Sequence, residues 1–417
     1  MKGGLVAAVL RWSGAAALLW SGAALAQGAG PASGPGPLPP SPMPEVEILH
    51  GWSGPDGDAL LAALGAAFEA RTPYRWKDGG VAGEAVVVSR IIGGDPPAAV
   101  QLEHGRKAVE LARGGFLLDL TELAERGRWR ERLVTPALLD ACTVDGRVFC
   151  VPVTLRAGGW LTLSRPAFAR AGLDVPSGWS GLMEAAEPLQ AAGVAPLRIE
   201  AAPGPLTGLL AALILEAGAQ DPWEAALRDG DGDGLSGPAS MRAFEAFGAA
   251  RDLAHAARSG GDAVAVAAEL SGDGSWGTLS AARRVAGGDH KCLPGLGGRG
   301  PLAVTGDAFY FPVRRDTDLE AAQLALASLL SEPGMQAGIS TGLGVLPARG
   351  DVDITALYAC ARKGLVAVAT RGAVPARDLL LPLAAAMSLD DLLVAFWNDP
   401  EMSPADLQAA YVEAVAR

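Results

Sequence analysis

The chain has 417 residues, long enough to bury two separate apolar cores. It carries 46 acidic residues against 34 Lys and Arg, a formal charge of −12, which argues against nucleic acid and anionic membrane as partners. Half of its residues are hydrophobic, yet no run beyond the N-terminus is long enough to span a bilayer.

Residues 1–26 read as a secretory signal peptide. Lys2 and Arg11 give a positive start, Trp12–Ala24 is apolar and small, and Ala24-Leu25-Ala26 forms a small-x-small cleavage site before Gln27. A short membrane anchor is the alternative. Cleavage removes two cations and no acid, which moves the formal charge from −12 to −14. No Cys follows the cleavage site, so a lipid anchor is not indicated. A freely diffusing exported protein needs an outer barrier to retain it, so the periplasm is expected, with plain secretion as the other outcome. Residues 27–44 (QGAGPASGPGPLPPSPMP) cannot bury a core and read as a disordered Pro/Gly-rich tether.

Folding is expected to start at Glu45. Val46, Ile48 and His50 alternate with Glu47 and Leu49 in a first strand, and GWSGPDG follows as a Gly-rich loop. Asp58–Arg71 reads as a helix, with Leu60, Leu61, Leu64 and Phe68 at helical spacing. Tyr74–Lys77 is a second strand and Gly83–Ile92 a helix. GGDPPAAVQLEHG is a turn into a third strand, and Leu111–Leu120 ends a further helix. Strand–helix alternation of this kind points to an α/β sheet.

The chain is organised around Leu139–Arg165, read as a helix end, a tight hairpin and an extended β segment. Asp145-Gly146 supplies the turn, because glycine tolerates the positive φ that hairpins need. Pro152 lacks an amide proton, which places its strand at an edge or at a crossing between sheets. The four cysteines are Cys142, Cys150, Cys292 and Cys360. An even count in an exported chain favours two disulfides over reduced thiols, with three pairings open. A three-residue loop at 145–147 would put Cys142 opposite Cys150 and leave Cys292 with Cys360.

A second part of the chain begins near Gly158. Pro166 sits early in one helix and Ser177 caps the next. Leu206–Ala217 and Ser240–Ala257 are helices. Pro301–Phe311 has strand composition and returns to the first part. Leu319–Leu330 and Pro333–Ile339 are helical, and Val352–Arg362, Leu389–Trp397 and Ala405–Ala416 belong to the C-terminal helices.

Several strings match motifs without their context. Gly295–Gly300 (GLGGRG) is followed by Pro301 and a strand, so no helix N-terminus faces a pyrophosphate. Gly338–Gly342 (GISTG) follows a helix, the reverse of what presents a nucleophilic serine. Asp229–Gly234 opens like a calcium loop, but its twelfth position is Ser240, so a turn is the better reading. His290-Lys291-Cys292 is too short and isolated for a zinc site. With four His residues in no paired metal-ligand spacing and with scattered carboxylates, the chain does not read as an enzyme, a hydrolase with two distant carboxylates being the alternative, and no metal or other cofactor is expected.

The ordered strings Ile48–Gly57, Phe68–Pro73, Ile91–Pro97, Gly115–Leu123 and Asp145–Val153 together resemble the extracellular solute-binding proteins that feed ABC-type sugar importers. In that family the last string is the strand that leaves the first lobe through the hinge. The resemblance implies a two-lobe periplasmic-binding-protein fold with hinge crossover strands. Lobe 1 would hold 45–155 plus about 301–345, and lobe 2 would hold 156–300 plus about 346–417. It implies a monomer that binds a carbohydrate and is recognised by ABC permease subunits. A diverged member could instead signal to a membrane sensor kinase.

Sugar sites combine aromatic faces with planar polar groups. Trp52, in the loop after the first strand, is the leading aromatic candidate. The sugar-binding relatives tend to carry two adjacent Trp here, where this chain has Gly51-Trp52. Asp58 lies where they present an acid, or is a helix N-cap. Trp160 follows the crossover strand, or belongs to a core. Trp276 stands two residues beyond the family position, which is Gly274 here. Asp307 fits an acid at the end of the returning strand, and Glu103 and His104 lie near a position that is often Lys. The family's basic residue before G-x-(I/V)-P-x-R is Leu343, and a further His falls at about Ala384 or Ala385.

Overall fold

The computed structural model describes residues 44–416 except 53, 82, 104–105, 259–264, 271–287 and 315. The proposed signal peptide and most of the tether, with His104 and Trp276, lie outside the described residues.

Two lobes are each built on a sheet. The first sheet has the order β2-β1-β3-β13-β6. It is made of β1 (Glu45–His50), β2 (Arg75–Val81), β3 (Ala99–Glu103), β6 (Cys150–Pro152) and β13 (Asp307–Tyr310). β1 runs parallel to β2 and β3, while β13 runs antiparallel to β3 and β6. Pro152 lies on the edge strand, where its missing N–H leaves no ladder bond unmade. Helix Gly54–Glu69 packs on this sheet through Leu60, Leu61, Leu64 and Phe68, all in one apolar cluster with Val46, Ile48 and Phe309.

The second sheet has the order β11-β8-β10-β9. Its strands are β8 (Leu161–Ser164), β9 (Ala195–Arg198), β10 (Val266–Leu270) and β11 (His290–Leu293). Helices Pro203–Glu216, Pro238–Arg258, Leu383–Asn398 and Pro404–Val415 share its core, which centres on Trp223, Phe244, Phe247, Phe396, Trp397 and Tyr411.

A third sheet, β14-β7-β12-β15, joins the two. It comprises β7 (Thr154–Ala157), β12 (Leu302–Thr305), β14 (Leu346–Pro347) and β15 (Ala373–Pro375), with its own cluster around Leu155, Trp160, Val304 and Leu346. The chain passes between the first and third sheets at Val153, at Gly306 and after helix Pro333–Leu343. The expected single returning strand over 301–311 is therefore two strands, broken at Gly306 because each half pairs in a different sheet. Pairing changes there by one residue. Pro152 faces Ala308 on one side and Arg156 faces Thr305 on the other, so 153–155 oppose only 306–307.

Other local expectations shift for local reasons. The first helix begins at Gly54, not Asp58, because Gly54 turns the chain at φ 80° and Pro55 and Asp56 suit a first helical turn. The hairpin turn has two residues, not three. In strands β4 (Thr143–Val144) and β5 (Arg147–Val148), Thr143 pairs with Val148 and Val144 with Arg147, and Asp145 and Gly146 both take positive φ (49° and 79°). Cys142 thus lies opposite Phe149, whose N–H it accepts at 2.9 Å, and bridges to the next residue along, Cys150. The second disulfide joins Cys292 to Cys360. Ser177 does not cap the helix Trp179–Glu184. That place is taken by Gly178, without a side-chain bond. Val352–Arg362 is not one helix. A 3-10 turn, Ile354–Ala356, precedes helix Ala359–Arg371.

Candidate solute site at the end of the first sheet

The carboxyl ends of parallel strands β1 and β3 and the start of antiparallel β13 lie at one edge of the first sheet. This is the side of an open α/β sheet where ligands bind. Trp52 follows β1 directly. It is buried, with its ring edge-on to Phe309 at 5.5 Å between centroids, and its indole N–H has no partner among the described residues. Gly57 makes room for this loop, since a Cβ there would stand 3.2 Å from the Trp52 carbonyl carbon. Gln101 in β3 accepts the Gly51 N–H at 2.6 Å, which ties the Trp52 loop to the neighbouring strand. His50, also buried, bonds Asp78 at 2.9 Å, and that bond holds the Asp78 carboxyl below the usual range against the opposing cost of its burial.

Asp307 opens β13 directly opposite Glu103 of β3, so these two sequence candidates share the strand end with Trp52. Asp307 is 8% exposed and its oxygens are engaged by the chain itself. One accepts from Arg156 Nη2 at 2.8 Å and the other from the Thr154 hydroxyl at 2.9 Å.

The remaining candidates lie elsewhere. Asp58 is exposed within the helix Gly54–Glu69 and is not its N-cap. Trp160 is 1% exposed in the third sheet's apolar cluster, where a Cβ at Gly364 would press on its ring at 2.8 Å. A separate cavity of about 630 Å³ runs between the helices Gly54–Glu69 and Pro333–Leu343. Asp56, Ala63, Gly338 and Tyr358 line it, and the Arg71–Glu332 ion pair stands among its walls. No group of three or more metal-ligating side chains occurs among the described residues.

Thr154, Arg156 and Gln101 were not singled out from sequence. A signal existed for two of them. Thr154 and Arg156 alternate with Val153, Leu155 and Ala157, so one face of an otherwise apolar strand is polar.

Residues 51–272 match the family model described as bacterial extracellular solute-binding protein. The chain is 30% identical over 336 residues, 77% of its length and 80% of the relative's, to a "Probable sugar-binding periplasmic protein" of Rhizobium meliloti (strain 1021). A protein of the same description from Brucella suis biovar 1 (strain 1330) is 28% identical over 339 residues, 78% of this chain and 79% of its own. Among solved structures, the cyclic alpha-maltosyl-1,6-maltose binding protein from Arthrobacter globiformis superposes with a TM-score of 0.68 at 18% identity, covering 90% of this chain and 98% of that one. A chitin oligosaccharide binding protein gives 0.68 at 19% identity, over 89% and 99%. At these identities the structural likeness speaks to the fold.

Proposed function

The chain belongs to the bacterial extracellular solute-binding proteins, and from that premise we propose that it is the periplasmic substrate-binding component of an ABC-type importer, taking a carbohydrate between two closing lobes. The observation that carries the reading is the convergence of Trp52, Gln101 and Asp307 at one sheet end, where Glu103 holds the register position opposite Asp307, beside the crossings between lobes. An aromatic face beside a carboxylate that accepts from hydroxyls and a side-chain amide is the combination that suits a sugar's C–H face and hydroxyls. The descriptions of the Rhizobium and Brucella relatives as sugar-binding support the solute class.

In this reading the signal peptide, residues 1–26, is removed on export. Lobe 1 holds 45–155 with about 301–345, and lobe 2 holds the rest of the folded chain. Closure about the crossings excludes water, which strengthens each polar contact to the solute. The closed monomer is then the shape that the permease subunits recognise. The protein does no chemistry on its cargo.

Intrinsic tryptophan fluorescence titrated with D-glucose, D-galactose, D-xylose, maltose and chitobiose tests this. At least one sugar is expected to shift the emission and raise the melting temperature, because a ligand specific to the folded state stabilises it by mass action. Trp52→Ala should remove both responses. Silence of the wild-type protein across mono- and oligosaccharides would sink the carbohydrate assignment.

A further inference from the structure

The strands that cross between the first and third sheets meet at a defect. Residues 153–155 oppose only 306–307, so the ladder there contains a bulge. A bulge disrupts the ladder locally and lets the strand bend. Here side chains tie the two strands together across it. The Thr154 hydroxyl accepts the Asp307 N–H at 2.9 Å and donates to one carboxylate oxygen of Asp307 at 2.9 Å. Arg156 Nη2 donates to the other oxygen at 2.8 Å. The Val153 N–H donates to the Asp307 carbonyl at 2.9 Å. Thr154, Arg156 and Asp307 are all buried.

We propose that Arg156 is a positioning residue for solute binding, holding the Asp307 carboxylate at the bulge so that the group offered to the solute also joins the two crossing strands. The solute half of this inference rests on the carbohydrate-binding reading; the clasp half does not. Charge-assisted bonds of this kind are short and directional, and a carboxylate oxygen keeps a further lone pair for a ligand donor. Rotation about 153 and 306 moves β7 against β13, and the Arg156–Asp307 pair spans that joint. The pair therefore favours one lobe arrangement, and removing the guanidinium would break a buried charge-assisted bond to Asp307.

The test uses the full chain with Arg156→Met, Arg156→Lys and Thr154→Val, and two readouts. Amide hydrogen exchange without sugar reads the clasp. Arg156→Met should speed exchange about ten-fold at 150–157 and 303–310, leave helix Pro203–Glu216 at its wild-type rate, and be partly rescued by Arg156→Lys. Fluorescence titration with whichever panel sugar binds the wild-type protein reads positioning, with affinity expected about ten-fold weaker for Arg156→Met and partly recovered for Arg156→Lys. Wild-type exchange at both crossings, or equal acceleration through both lobes, overturns the clasp. Unchanged affinity with loosened crossings overturns the positioning role. If no sugar in the panel binds the wild-type protein, the carbohydrate reading and the solute half fall together, while exchange still decides the clasp. Thr154→Val, which removes the hydroxyl at nearly constant shape, serves both readouts if Arg156→Met does not fold.

Discussion

The crossing at residues 153 and 306 and the corner where β11 meets helix Ala359–Arg371 join distant parts of the chain by opposite means. At the crossing, Arg156 and Asp307, 151 positions apart, are tied by buried polar contacts across a strand bulge. At the corner, Cys292 and Cys360, 68 positions apart, are joined by a covalent bond inside an apolar cluster. A disulfide stabilises mainly by constraining the unfolded chain and permits no reversible parting. A buried ion pair adds little net stability when intact, yet losing one partner is costly, because the other charge stays buried. The difference separates a joint from a weld: the reversible tie lies where the chain passes between sheets, and the covalent one holds a sheet edge to a helix.

The largest expected effect tests the weld. Replacing Cys292 and Cys360 together by Ser should lower the unfolding free energy in urea by about 4 kcal/mol, against about 2.5 kcal/mol for the same change at Cys142 and Cys150, whose loop is far shorter. Amide exchange at the crossings should stay at its wild-type rate in both variants. Equal losses, or loosened crossings, would erase the distinction.

A buried arginine of another kind sharpens it next. Arg251 donates to the carbonyls of Phe396, Asp399 and Met402 and stacks 4.3 Å from the Phe396 ring, so it caps the end of helix Leu383–Asn398. Arg251→Met should cost about 3 kcal/mol, because it leaves the buried Phe396 carbonyl and two partly buried carbonyls without their donor and strips the contact with the Phe396 ring. Sugar affinity should be unaltered, the reverse of the pattern expected for Arg156→Met.

The smallest effect comes from a pair that ties the first sheet to the helix Glu84–Ile92. Arg90 bonds Glu47 at 2.7 Å, and this bond, more than the charge attraction alone, holds the Glu47 carboxyl below its ordinary range. A depressed folded pKa contributes stability above the unfolded value and loses it as pH falls through the folded one. Wild type should therefore lose about 1 kcal/mol more than Glu47→Gln as pH drops below about 4.3, measured by urea unfolding at stepped pH.

Much of the first lobe was legible because its signals are local. Alternation over Val46–His50, helical spacing of Leu60, Leu64 and Phe68, and the Asp145-Gly146 turn each depend on neighbours in sequence. The site was legible only in part. Trp52 stands out as an aromatic in a Gly-rich loop and Asp307 as the acid of the returning strand, but its place at the start of β13 and the environments of both come from partners far along the chain. Phe309 lies against the first, and Arg156 and Thr154 engage the second. Trp160 illustrates the limit. Its position after the crossover strand is equally compatible with a cleft or a core, and packing against Gly364 decides for burial.

The strand–helix alternation of the first lobe, the edge-or-crossing place of Pro152 and an even cysteine set that favours disulfides were determined by the sequence alone, because periodicity, missing donors and residue count act over a few neighbours. The splitting of 301–311 between two sheets, the bulge at 153 and the engagement of both Asp307 oxygens were decided only by the tertiary structure. The reason is geometric: register and charge pairing are set between strands about 150 residues apart, and no window along the chain contains both partners.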